Sequence, residues 1–133
     1  IDTYSHLLSV DQGNKIAANN LAALIASTTE NAERLKYALG LVKTFKNYKV
    51  PALLDTYAWL NYLNGEHEEA LVAIEKVVAM VSDYPEFNYH LGMIYVVNGR
   101  TEEAKLVLEK AVSSGAGFVG MDKAKTMLVE LKG

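Results

Sequence analysis

The stretch Asn64-Gly65-Glu66-His67-Glu68-Glu69-Ala70 returns as Asn98-Gly99-Arg100-Thr101-Glu102-Glu103-Ala104, displaced by 34 residues and without a gap. The chain has two prolines, Pro51 and Pro85, and they stand the same distance apart. Laid over each other, residues 51–84 and 85–118 share nine identities, which include Glu75 with Glu109, Lys76 with Lys110 and Val78 with Val112. A period of this length marks a helix-turn-helix unit that cannot bury its apolar side alone and must stack on its neighbours.

Each unit reads as two helices. Proline suits the first helical position, where its missing N–H has no partner to lose, so Pro51 and Pro85 open helices. Leu54, Tyr57, Ala58 and Leu60, then Phe87, Leu91, Ile94 and Tyr95, recur at three-to-four spacing and form inward stripes. Asn64-Gly65 and Asn98-Gly99 stop these helices, since glycine enters the left-handed conformation of a C-terminal cap without steric cost. Thr101 is expected to cap the next helix, with Glu102 and Glu103 in the first turn where the helix dipole favours negative charge. Ala70, Leu71, Ile74, Val77, Val78 and Val81 line the second helix of one unit, and Ala104, Leu108, Ala111 and Val112 that of the other.

A less regular copy lies upstream. Leu21, Ala22 and Ile25 resemble an inward stripe of a helix beginning near Asn14, and Ala32, Leu35, Ala38, Leu39 and Val42 that of a helix beginning near Thr29. Residues 2–11, with Tyr4, Leu7 and Leu8, read as the second helix of a truncated repeat, so the array is expected to continue upstream of residue 1. Met121 to Leu131 reads as a capping helix, apolar at Met127, Leu128 and Leu131 and polar at Asp122, Lys125 and Glu130. The expected layout is one all-α domain over 1–133: a half-repeat helix at 2–11, repeats at 14–46, 51–82 and 85–113, and the cap at 121–132.

Leu91-Gly92-x-x-Tyr95, followed by Gly99 and Ala104, resembles the tetratricopeptide repeat signature. The resemblance covers roughly residues 2–113. Departures are Asn88 where tryptophan is frequent, Asn61 in place of the tyrosine, and Ile74 and Leu108 in place of the second helix's aromatic. The wording Leu53-Leu54-Asp55-Thr56-Tyr57-Ala58-Trp59 and Tyr89-His90-Leu91-Gly92-Met93 is similar to the C-terminal repeats of bacterial tetratricopeptide proteins, some associated with cell-envelope or exopolysaccharide systems.

The resemblance implies an α-solenoid, a right-handed superhelix whose concave groove is built from the outward faces of the first helices and receives a protein or peptide. Carried over by position, the groove residues are Asn19, Asn20, Ala23 and Ser27, then Asp55, Trp59 and Tyr62, then Tyr89, His90, Met93 and Val97. Some members grip a terminal carboxylate with a basic clamp; here Asp55 and Tyr89 stand where a cation would serve. An apolar or aromatic anchor, extended or helical, is the expected ligand feature, because desolvated Trp and Tyr contribute much binding energy per side chain. Trp59 and Tyr62 also have a plain structural reading as packing between repeats.

Several function classes find no support. A net charge of −3 supplies no positive field for nucleic acid. No apolar run is long enough to span a bilayer. Gly115-Ala116-Gly117-Phe118-Val119-Gly120 spells G-x-G-x-x-G, but the dinucleotide fingerprint needs a strand before it and an acidic residue about 20 positions on, and the chain ends 13 residues later. His6, His67 and His90 have no metal-ligand spacing, and cysteine is absent. No cofactor, metal or catalytic set is expected. Residues 30–49 carry five cations against two acids and residues 66–86 six acids against one lysine, which reads as a solvated outer face or as a contact between copies. The expected function is therefore a non-enzymatic interaction scaffold, with self-assembly of a larger bacterial protein as the alternative. The compartment, cytoplasm or periplasm, is open.

Overall fold

The computed structural model describes the backbone of residues 2–115 and 117–133 and the side chains of residues 14–115 and 117–133. Among the described residues seven α-helices follow one another: α1 Asp2–Thr28, α2 Ala32–Val42, α3 Pro51–Leu63, α4 His67–Met80, α5 Pro85–Val97, α6 Thr101–Ser113 and α7 Met121–Lys132. A 3-10 helix, Lys43–Asn47, extends α2, and no strand occurs among the described residues. Each helix packs on the next in the chain from α1 to α7, and α1, α3, α5 and α7 also pack in that order. The molecule is an all-α solenoid of stacked hairpins, with one wall made of these odd-numbered helices.

The repeated Asn-Gly pair explains both the stops and the stacking. Gly65 and Gly99 have φ of 83° and 78°. Around them Gly65 N–H donates to Tyr62 O and Glu66 N–H to Asn61 O, as Gly99 N–H does to Val96 O and Arg100 N–H to Tyr95 O. These are Schellman caps, which satisfy carbonyls that a helix end leaves open. The asparagine then ties the layers together. Asn64 Nδ2 donates to Leu35 O of α2 at 3.0 Å, and Asn98 Nδ2 donates to His67 O of α4 at 3.1 Å.

The start of α6 differs from the expected one. Thr101 is the first residue of α6 and not its cap; the capping position belongs to Arg100, and no side chain bonds there. The glycine turn delivers the chain into the helix one residue sooner, which leaves the hydroxyl beyond reach of the capping geometry. Arg100 instead forks onto Glu103 at 2.8 and 2.7 Å and lies 4.6 Å from the centre of the Tyr95 ring.

Small residues set the helix spacing. Ala22, Ala38, Ala58, Ala70, Ala104, Ala111 and Ala124 are all fully buried. At Gly92 an added Cβ would stand 2.5 Å from Leu108 Cγ and Cδ2, so α5 and α6 meet through a missing side chain. Ala58 and Ile74 are the same two positions one repeat earlier, and both are buried. The aliphatic residues that replace the family's aromatic are thus accommodated by small partners across the hairpin.

The upstream region departs from expectation. A single helix runs through Asp2–Thr28, where the residue pattern predicts a half-repeat helix at 2–11 and a new helix near Asn14. An interior glycine such as Gly13 costs a helix only about 1 kcal/mol relative to alanine, and no proline intervenes to end it. The side chains of His6, Tyr4, Leu7 and Leu8 lie outside the described residues. The next helix starts at Ala32 and not near Thr29, because the Asn31 side chain accepts from Arg34 N–H and makes the cap.

Candidate functional site

A cavity of about 650 Å³ opens on the wall of odd-numbered helices. From α1 come Ala23, Leu24, Ala26 and Ser27, and from α3 Asp55, Thr56, Trp59 and Leu63. From α5 come Glu86, Tyr89 and His90, and the far side is closed by Val119, Gly120 and Lys123. Thr29, Glu30 and Leu35 complete the lining. On each helix these residues recur at three-to-four spacing, which puts them on one face.

Two layers are joined at its floor. His90 Nδ1 lies 2.8 and 3.0 Å from the two Asp55 carboxylate oxygens, and both residues are less than a tenth exposed. An ionised carboxylate only accepts, so Nδ1–H is the donor. The imidazole also stacks on Trp59, with ring centres 4.0 Å apart and planes 20° from parallel. Trp59 stacks in turn on Tyr62 at 4.5 Å and tilts against Tyr89 at 5.4 Å. The indole is half-buried and the Tyr89 ring is buried.

The glycine-rich turn serves this wall. Gly120 has φ of 101°, and an added Cβ there would stand 2.3 Å from Tyr89 Cε2. Only glycine allows both the turn and the approach. Tyr89 also tilts against Phe118 at 5.5 Å. The segment before it is helix α6, so the stretch has none of the strand context of a dinucleotide fingerprint.

Burial shapes the titrating groups. The Tyr89 phenol is pushed up to about 12 by burial first, then by Tyr62 and Glu86. Burial likewise raises Tyr62. The Glu86 carboxyl is held above its ordinary range by burial, with His90 opposing and Asp55 reinforcing the shift.

Of the residues expected in the groove, Asp55, Trp59, Tyr89 and His90 meet at this cavity together with Ala23 and Ser27. Tyr62 packs on Trp59 outside the lining and tilts against His67. Met93 lines a separate cavity of about 280 Å³ with Asp122, Lys123, Thr126, Met127 and Glu130. Asn19 and Asn20 line neither; Asn20 is exposed, and Asn19 Oδ1 is buried without a hydrogen-bond partner among the described residues. Val97 is exposed. The cavity also includes Glu30, Glu86, Val119 and Lys123, which the residue pattern did not single out. For Lys123 the signal was present: it stands one 34-residue period after Tyr89 and two after Asp55.

Among the described residues no group of three or more His, Asp or Glu is arranged to hold a metal, and no helix is long and apolar enough to cross a membrane. Stacked helical hairpins with a cavity on one wall define a helical-repeat solenoid. Residues 62–117 match the family model of the tetratricopeptide repeat. That stretch of the chain carries tetratricopeptide repeats. Such repeats mediate protein–protein interaction and are typically non-enzymatic scaffolds. A comparison with curated proteins finds no match.

Proposed function

We propose that this chain is a non-enzymatic scaffold that binds a peptide or protein segment in the cavity bounded by α1, α3, α5 and α7. The observation that carries this reading is the aromatic floor, Trp59 and Tyr89, set in a concave space of about 650 Å³, a size that accommodates one or two side chains of a ligand. Leu24 adds an apolar wall that is more than half exposed. Asp55 differs from a basic clamp in kind: its carboxylate is occupied by His90 and orients the floor.

An aspartate–histidine pair is also a component of hydrolytic triads. Two contacts favour the scaffold reading. The imidazole is stacked on Trp59, and the hydroxyl of Thr56, which also lines the cavity, donates to Ala52 O at 3.1 Å. The self-assembly alternative would place the contact at an open end of the stack; the larger cavity lies on its side wall, which favours a ligand across the layers.

The test is selection of peptides from a phage-displayed random library, followed by binding to Trp59→Ala and Leu24→Ser. Both substitutions are expected to weaken binding at least tenfold, with Leu24→Ser leaving the melting temperature nearly unchanged because its side chain is exposed. Full binding by both variants, or concentration-dependent growth in mass by light scattering with no peptide selected, refutes the groove reading.

A further inference from the structure

We infer that the cavity selects a basic peptide segment, an arginine or lysine whose methylenes lie along Leu24, Trp59 and Val119 and whose cation meets Glu86. This rests on the groove reading above and narrows it. The lining carries three carboxylates, Glu30, Asp55 and Glu86, against one ammonium, Lys123.

The three carboxylates are not equivalent. Asp55 is engaged by His90, and Glu30 is exposed, where water and salt screen its field. Glu86 is half-buried in the first turn of α5, and no hydrogen bond or ion pair engages its side chain among the described residues. Burial holds its carboxyl above the ordinary range. A carboxylate partly withdrawn from water and still unmatched is the group that gains most from an arriving cation, because screening there is weak.

The walls suit the stem of such a side chain. Lysine and arginine lay their methylenes on apolar surface while the head keeps polar company, and here apolar wall and carboxylate share one cavity. An anionic ligand would meet Lys123 and be opposed by the unmatched Glu86 carboxylate. Arginine is favoured over lysine, since its planar head pairs with a carboxylate in fork geometry.

The phage library supplies the probes, and labelled copies of the enriched peptides are titrated by fluorescence anisotropy at low and high salt. Enriched peptides are expected to carry Arg or Lys beside apolar residues. Glu86→Gln is expected to weaken them about tenfold, the effect of one charge-assisted hydrogen bond. Lys123→Glu, at an exposed position that does not threaten the fold, is expected to strengthen them severalfold. High salt is expected to reduce affinity for the native chain and to matter less for Glu86→Gln. Neutral or acidic enriched peptides, or unchanged affinity in both charge variants, overturn the basic specificity while loss of binding in Leu24→Ser leaves the groove reading standing. Unchanged affinity in Leu24→Ser and Trp59→Ala overturns both.

Discussion

The Asp55–His90 pair joins two repeats and floors the cavity, so its energetic coupling tests the whole construction. The perturbation is a double-mutant cycle of Asp55→Leu, His90→Phe and the combination. His90→Phe keeps a ring to stack on Trp59 but strands a carboxylate whose side chain is 8% exposed. Breaking a buried pair from one side costs about 3–5 kcal/mol. The low end, about 3 kcal/mol, applies here because a cavity large enough for water borders the pair. Asp55→Leu strands the Nδ1–H of a side chain 10% exposed, a donor whose loss of partner costs about 2 kcal/mol. In the combination neither orphan exists and the space is apolar, so the cost falls to about 2–3 kcal/mol in place of the additive 5. The expected coupling is about 2–3 kcal/mol, read from urea unfolding midpoints with the slope of the transition unchanged. Additivity within about 0.5 kcal/mol would refute the claim that this contact holds the layers together.

Glycine substitutions separate backbone from packing effects. Gly99→Ala is expected to cost about 1–2 kcal/mol, because an added Cβ meets nothing within 4 Å yet φ is 78°; Gly40→Ala, helical with equally open space, is expected to gain about 0.5–1 kcal/mol, so thermal melts shift in opposite directions. Gly120→Ala combines a positive φ with a clash on Tyr89 and is expected to cost about 2–4 kcal/mol, with the Tyr89 ring resonances moving in NMR spectra. In alkali, Tyr57 and Tyr89 titrate near 12, Tyr57 through burial first and then its bond to Glu69. Their folded values lie above the ordinary 10, so the fold favours the neutral phenol: stability is intact below pH 10 and declines as pH rises toward 12. Phenolate absorbance should show a late-titrating fraction that shrinks in Tyr57→Phe and Tyr89→Phe; complete titration near pH 10 with the fold intact would contradict the burial assigned to them.

What was legible in the residues was whatever the period repeats. Pro51 and Pro85 open helices, Gly65 and Gly99 close them, and the alanines mark close approach, because each feature depends on local backbone chemistry that acts the same way in every copy. The candidate site was legible only in part, because the cavity is made where copies differ. Asp55 and His90 stand one period plus one residue apart, and their bond depends on how successive helices lean on each other, which no single repeat encodes. Glu86 entered no stripe since its burial comes from neighbouring elements. Lys123 was obscured by the glycine-rich turn, which looks like the end of the array although α7 packs on α5 and α6 as the first helix of a further unit would. The continuous α1 does not follow from the repeat pattern, which divides residues 2–28 between two units, although an interior glycine such as Gly13 costs a helix little.

The way the layers are joined bears on what a ligand does. Asn64, Asn98 and the Asp55–His90 pair each tie one layer to the next, as expected of a solenoid whose stability is a sum of units and nearest-neighbour contacts. Such an array has weak cooperativity over several repeats. The cavity reaches from Leu24 on α1 to Lys123 on α7, so a ligand that filled it would touch four successive wall helices at once. Such a ligand would add coupling of longer range than the internal contacts named above, its binding free energy shared among all the units it spanned. On the proposed groove reading, recognition and consolidation of the stack would be one event: a side chain held against Trp59 would close the space between layers and make the fold more cooperative.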